Sequence, residues 1–231
     1  MTGDAAQDDL SAERTTPPWW VLLLVGLAIA AAAFAIGRFS TFGIVASTPG
    51  DDSPEAGFAR DMQVHHAQAV DMAMTIYAKT SDEKLQALSY DIATGQSAQR
   101  GEMYDWLVRW GLPQYGNPMA WMDGSGEAGE HGHGGGSDDG TPMSDAEMRD
   151  AMGMATDAEL TELKAASGQA ADCLFLDLMI RHHEGALPMA DAVIDLGSEP
   201  RTLAVAESMK AAQTFEIDAM TSMQNRFSCS D

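Results

Sequence analysis

Three kinds of patterning follow one another along the chain. From Trp19 to Gly37 apolar residues run without a charge (WWVLLLVGLAIAAAAFAIG), and Arg38 closes the run. Such a stretch is near the length needed to cross a hydrocarbon core, and tryptophans at its edge suit the interface. It predicts a transmembrane helix over 19–39. The tail before it, 1–18, carries Asp4, Asp8, Asp9 and Glu13 against Arg14, unlike the short basic start of a cleaved signal peptide, which is the rival reading. Residues 40–54 are rich in Ser, Thr, Gly, Pro and Asp without period and read as a linker. From residue 55 onward apolar positions recur at alternating spacings of three and four, the stripe of an amphipathic helix.

That stripe occurs twice. DMQVHHAQAVDMA at Asp61–Ala73 aligns with LMIRHHEGALPMA at Leu178–Ala190 at an offset of 117 without a gap. At the same offset Phe58 falls on Phe175, Met62 on Met179, His65 on His182, His66 on His183 and Met72 on Met189. The register continues into a second periodic segment, with Ile92 on Met209, Gln96 on Gln213, Gln99 on Glu216 and Met103 on Met220. Each repeat is therefore a pair of helices, repeat one at 55–111 and repeat two at 168–227. Thr80 and Ser81 are read as opening the second helix, Gly111 and Pro113 as closing it, and Gly197, Ser198 and Pro200 as parting the last two. Four helices of about 25 residues joined by short turns predict an all-α, up-and-down four-helix bundle over 55–227, its two hairpins related by a pseudo-twofold axis. Between the copies, 112–155 holds a Gly-rich stretch containing GEHGHGGGSDDG. Two short amphipathic pieces, capped by Ser144 and Thr156, are expected to lie across the bundle.

Charge narrows the partners. Thirteen Lys and Arg face 35 Asp and Glu, a formal net charge of −22, so the surface repels phosphate backbones and nucleic acid is not expected as a partner. Arg14 and Arg38 flank the apolar run on either side and leave its orientation open. The larger domain is placed outside the cytoplasmic membrane, where Cys173 and Cys229 have an oxidising surrounding; they stand at helix ends that neighbour in an antiparallel hairpin, as a disulfide or as two free thiols.

Six histidines and sixteen methionines supply the candidate chemistry. Four histidines form the two HH pairs, and His131 and His133 sit in the Gly-rich insert, where they form either a weak capture site or part of a plain spacer. A lone histidine on an apolar face is commonly a hydrogen-bonded core residue, but duplication of the pair favours ligands. Adjacent helical residues point about 100° apart, so each histidine of a pair must look to a different neighbour. Imidazole suits copper, zinc and iron alike, whereas thioethers beside it favour copper, as Cu(I) or Cu(II), over zinc or iron. The candidate ligands are His65, His66, His182 and His183 with Met62, Met72, Met179 and Met189; each Met equally serves as core packing. Gln96 and Gln213 occupy inward positions that require a polar counterpart, and Met103 and Met220 face the same interior as additional ligands or supports. Met119, Met122, Met143, Met148, Met152 and Met154 gather around the insert, an arrangement consistent with hand-off of an ion. A carboxylate-bridged di-iron site needs two Glu and two Glu-x-x-His motifs, and only Glu184 and Glu216 are at hand. Two cysteines exclude tetrathiolate zinc.

MQVHHAQAVDMA and FLDLMIRHHEGALPMA, with the preceding MGMATDAELTELKAASG, closely resemble the family known as domain of unknown function 305, over about Gly57 to Phe227. The resemblance implies a ferritin-like four-helix fold, secreted or membrane-anchored, with copper binding and copper tolerance in some members and no established catalysis. Carried over residue by residue it touches Met62, His65, His66, Met72, Met179, His182, His183 and Met189. Gln68 stands where the second copy has Gly185, and Pro188 is expected to kink its helix, so the copies are not equivalent. The expectation is a single-pass, membrane-anchored, extracytoplasmic protein that binds copper for storage, buffering or delivery, with a membrane or metal-exchange protein as a further partner. A redox metalloenzyme and a membrane-tethered interaction module without metal are the alternatives.

Overall fold

A computed structural model describes residues 18–42, 48–123 and 144–229. The chain divides into two units, 1–47 and 48–231. In the first, helix α1 spans Trp19–Phe42. The Leu- and Ala-rich run makes a helix, as its propensities dictate, but the transmembrane reading of 19–39 is corrected. Among the described residues no helix is long and apolar enough to cross a membrane. Helix formation needs only local propensity, whereas a span also needs an unbroken apolar length, and α1 runs on through Arg38, Ser40 and Thr41.

The second unit is all-helical over its described residues: α2 Pro54–Tyr77, α3 Glu83–Trp110, a 3₁₀ turn Ala120–Asp123, α4 Asp145–Ala151, α5 Asp157–Ala165, α6 Gly168–Leu196 and α7 Pro200–Phe227. Helices α3 and α7 begin and end at positions 117 apart, so the sequence repeat is a structural repeat. α2 packs on α3 and α6 on α7, and the two hairpins meet through α2 against α6. Local chemistry sets the boundaries. Ser53 caps α2 ahead of Pro54, and Gly111 ends α3 in the left-handed region at φ 71°. The cap of α3 lies two residues after the expected Thr80: it is Asp82, accepting from the N–H groups of Lys84 and Leu85, while Thr80 accepts from the Asp82 N–H. Ser144 and Thr156 each close a reciprocal capping box, with Glu147 and Glu159. α6 continues through Pro188.

Three long-range ties fix this frame. Glu55, buried at the start of α2, accepts from the backbone N–H groups of Ser198 (2.5 Å) and Glu199 (2.9 Å) in the α6–α7 turn. Burial opposes its charge, but these bonds outweigh that and hold its carboxyl below the usual range. Cys173 and Cys229 are joined by a disulfide, Cα to Cα 5.5 Å, which ties the start of α6 to the end of α7. Asp61 accepts from the Met119 N–H and the Trp121 indole, both at 2.8 Å, and so seats the 3₁₀ turn on α2. A Cβ on Gly57 would lie 2.2 Å from the Trp121 ring, so only glycine admits that ring.

Residues Met152–Ala155, between α4 and α5, form a buried strap. It lies across the seam between α2 and α6, and it explains why Gln68 and Gly185 differ between the copies. On the α6 side a Cβ at Gly185 would lie 2.0 Å from the Met152 carbonyl oxygen. On the α2 side the equivalent residue, Gln68, donates to the Ala155 carbonyl (2.8 Å) and accepts from the Ala155 N–H (2.7 Å). One copy yields space and the other supplies a clamp.

Candidate metal centre

The four histidines of the HH pairs are fully buried at the α2–α6 seam. Antiparallel pairing of the two equivalent helices brings His65 and His182 face to face, with ring centroids 3.7 Å apart and planes tilted by 32°. His66 flanks His65 at 6.4 Å and His183 flanks His182 at 6.3 Å. The imidazoles therefore form one polar layer, an inner pair with an outer ring on either side.

This layer separates two apolar clusters. Met62, Met103 and Met189 belong to one, and Met72, Met179 and Met220 belong to the other; all six are fully buried. Met62 and Met72 share helix α2, and Met179 and Met189 share α6. In space the antiparallel arrangement splits each couple and builds two equivalent trios, one above and one below the histidines.

Every Nε2 atom of the layer has a protein oxygen beside it. His65 pairs with the Met152 carbonyl of the strap (2.9 Å) and His182 with the His65 carbonyl (3.1 Å). His66 pairs with Gln99 Oε1 of α3 (2.7 Å), and His183 with Glu216 Oε2 of α7 (2.8 Å). Carbonyl and carboxylate oxygens only accept, so each Nε2 carries the proton and donates. In a neutral ring so protonated, Nδ1 is a bare lone pair. All four Nδ1 atoms are buried and meet no hydrogen-bond partner among the described residues. Orphaned buried polar atoms are costly and rare, and here they recur at four related positions.

The surroundings favour neutral rings at His65, His66 and His182. Burial, followed by the nearby imidazoles, pushes His182 well below its ordinary value. Burial lowers His65 to about 4 against the opposing bond to Met152, and lowers His66 to about 3, with His65 as a secondary cause and Gln99 opposing. Gln96 and Gln213 extend the unpaired set, since both ends of both buried amides are without partners among the described residues. Each lies one turn before the residue that orients an outer histidine, on the same helix face as Gln99 and Glu216 respectively.

This donor set fits some metals and not others. Among the described residues no three His, Cys, Asp or Glu side chains converge on one point, so neither an all-imidazole zinc site nor a carboxylate-rich di-iron site is preformed. What the interior offers is an imidazole layer with methionine-containing apolar clusters on both sides, and nitrogen with thioether sulfur is the combination that soft ions prefer. The donors' other ring nitrogens are already held by carbonyl, amide and carboxylate oxygens, the support that metal-ligating histidines generally have. Sequence reasoning missed the Met152 carbonyl and the orienting roles of Gln99 and Glu216. The Gln99–Glu216 alignment in the repeat was the available signal. His131, His133 and Met143 lie outside the described residues. Met119, Met122, Met152 and Met154 pack on or in the first apolar cluster.

Known proteins share this architecture. The family model for the domain of unknown function DUF305 matches residues 55–224. A DUF305 protein from Streptomyces coelicolor, predicted to be secreted, superposes with a TM-score of 0.64 at 35% identity, over 78% of this chain and 95% of that one. A DUF305 fragment from Deinococcus radiodurans follows at 0.59 and 30%, over 75% and 96%. CopM in its Cu(I)-bound form shares the fold at a TM-score of 0.52 and 20% identity, over 76% and 97%. CopM has also been solved in Cu(II)-bound and silver-bound forms. No curated protein matches the chain. Family match, relatives and duplicated helical hairpins agree, and the chain belongs to the DUF305 family.

Proposed function

We propose that the protein binds copper, as Cu(I) first, in the layer between α2 and α6, and serves in its storage, buffering or delivery outside the cytoplasm. The observation that carries this is the set of four buried Nδ1 lone pairs, each on a ring whose other nitrogen is already held. Nitrogen would come from His65, His66, His182 and His183, with no more than two of these rings on any one ion. Sulfur would come from Met62, Met103 and Met189 on one side of the layer and from Met72, Met179 and Met220 on the other. Copper would supply charge to satisfy the lone pairs.

Two further facts support this reading. The fold is shared with CopM, which has been crystallised with Cu(I), Cu(II) and silver. The disulfide suits an oxidising compartment.

The test is anaerobic titration of the purified protein with Cu(I) against a chromogenic chelator, with X-ray absorption to identify nitrogen and sulfur ligands. Wild type should withhold copper from the chelator and show both ligand types. The double variant His65→Ala, His182→Ala, shown folded by its helical circular dichroism, should lose that copper. Unchanged stoichiometry in the double variant, or a wild type that cannot compete, would refute the assignment.

A further inference from the structure

The two outer rings of the histidine layer are held alike except in one respect. His66 rests on the neutral amide of Gln99, at 2.7 Å, and His183 rests on the carboxylate of Glu216, at 2.8 Å. The two orienting residues occupy the same repeat position on equivalent helices, α3 and α7, so the helix geometry is common and the charge is not. Both rings are fully buried, and the Glu216 side chain is only 19% exposed, so water screens this charge weakly. A carboxylate receiving the Nε2–H strengthens the Nδ1 donor and places a negative charge one ring away from any bound ion. A neutral amide orients its ring equally well and adds no charge.

We infer, building on the copper reading above, that Glu216 sets the oxidation-state preference of the centre: the His183 side favours the doubly charged cupric ion, and the His66 side, backed by Gln99, favours the cuprous ion. Glu216 is then a positioning and tuning residue that acts through His183 and touches no metal itself. Duplication followed by one Gln–Glu difference yields a centre with unequal halves, able to retain copper across a change of valence.

Exchange of the two orienting residues tests this in the full-length protein. Affinities for Cu(I) and Cu(II) are measured separately by competition, together with the cupric electron paramagnetic resonance spectrum. Glu216→Gln should weaken Cu(II) by about 10–100-fold, the usual loss when a residue supporting a ligand is removed. Cu(I) affinity should stay within about threefold. At about 59 mV per tenfold for one electron, the bound copper's potential rises by about 59–118 mV. The swap Gln99→Glu with Glu216→Gln should restore the Cu(II) affinity, because the charge has only moved to the equivalent ring. A purely structural role for Glu216 predicts no such rescue. If wild type binds both ions and Glu216→Gln lowers the two affinities equally or leaves both unchanged, the inference is overturned while the copper reading stands. If wild type binds no copper, both fall together.

Discussion

Acidifying the metal-free protein from pH 7.5 to pH 5 should remove about 4 kcal/mol of folding stability through His65 and His66 alone. Both rings are held neutral in the folded core, at about 4 and about 3, whereas the unfolded chain has the ordinary value of 6.5. Below pH 6.5 the unfolded state binds protons that the folded state refuses, so the equilibrium shifts toward unfolding. The contribution is complete above pH 6.5 and falls by about 1.4 kcal/mol per pH unit for each ring. It stops falling near pH 4 for His65 and near pH 3 for His66. At pH 5 each ring has therefore cost about 2 kcal/mol, a substantial share of the roughly 5–15 kcal/mol that holds an ordinary domain together. His182 is shifted the same way and steepens the profile. Buried Asp61 and Asp172 work in the opposite sense, because burial raises their carboxyls. The paired carboxylates Asp82 and Glu159, held at about 2 by Arg226 and Arg181, give way only at lower pH. Urea unfolding at a series of pH values in the presence of chelator, with the disulfide intact, measures the slope directly. His66→Gln should reduce that slope by about one proton between pH 6 and pH 5. A flat profile from pH 7.5 to 5, or an undiminished slope in the variant, would show that the rings are not neutral and buried as described.

Further expectations concern the frame around the layer. Gly185→Ala puts a methyl group 2.0 Å from the Met152 carbonyl; overpacking of this kind costs about 1–3 kcal/mol, and hydrogen exchange at the strap should accelerate with it. Gln68→Ala abandons both the N–H and the carbonyl of Ala155, a loss of about 1–3 kcal/mol by unsatisfied-group costs, visible in a chemical melt. Reduction, or Cys173→Ser with Cys229→Ser, frees a closure of 56 residues, worth about 4 kcal/mol in the chain-entropy account; an unchanged melting temperature would refute it.

Much of the bundle was legible because repetition and period are properties of the chain itself. An offset of 117 related α3 to α7 to the residue, and it identified both HH pairs as equivalent. Other features depend on which surfaces meet. The sequence could place Met62 and Met72 on one helix face, but only antiparallel docking of α2 on α6 reveals that they serve opposite sides of the layer. Gln99 and Glu216 showed as an aligned inward pair, yet nothing in the period tells which ring an inward polar group will reach. The strap was legible only as a pair of capped short helices; its buried path shows only when Gly185 and Gln68 are seen on either side of it. The apolar run at 19–37 announced a helix correctly and a membrane span incorrectly, since periodicity and propensity speak to the first and not to the second.

The strap also bears on how such a molecule arises. A dimer of two identical hairpins has strict twofold symmetry, and a single segment lying across the axis would present different edges to two identical seats. One seat would need the missing Cβ of a glycine and the other the reach of a glutamine, which one gene copy cannot encode at the same position. Joining two copies in tandem lifts that constraint, so the covered histidine layer is available to a fused chain and closed to its symmetric ancestor.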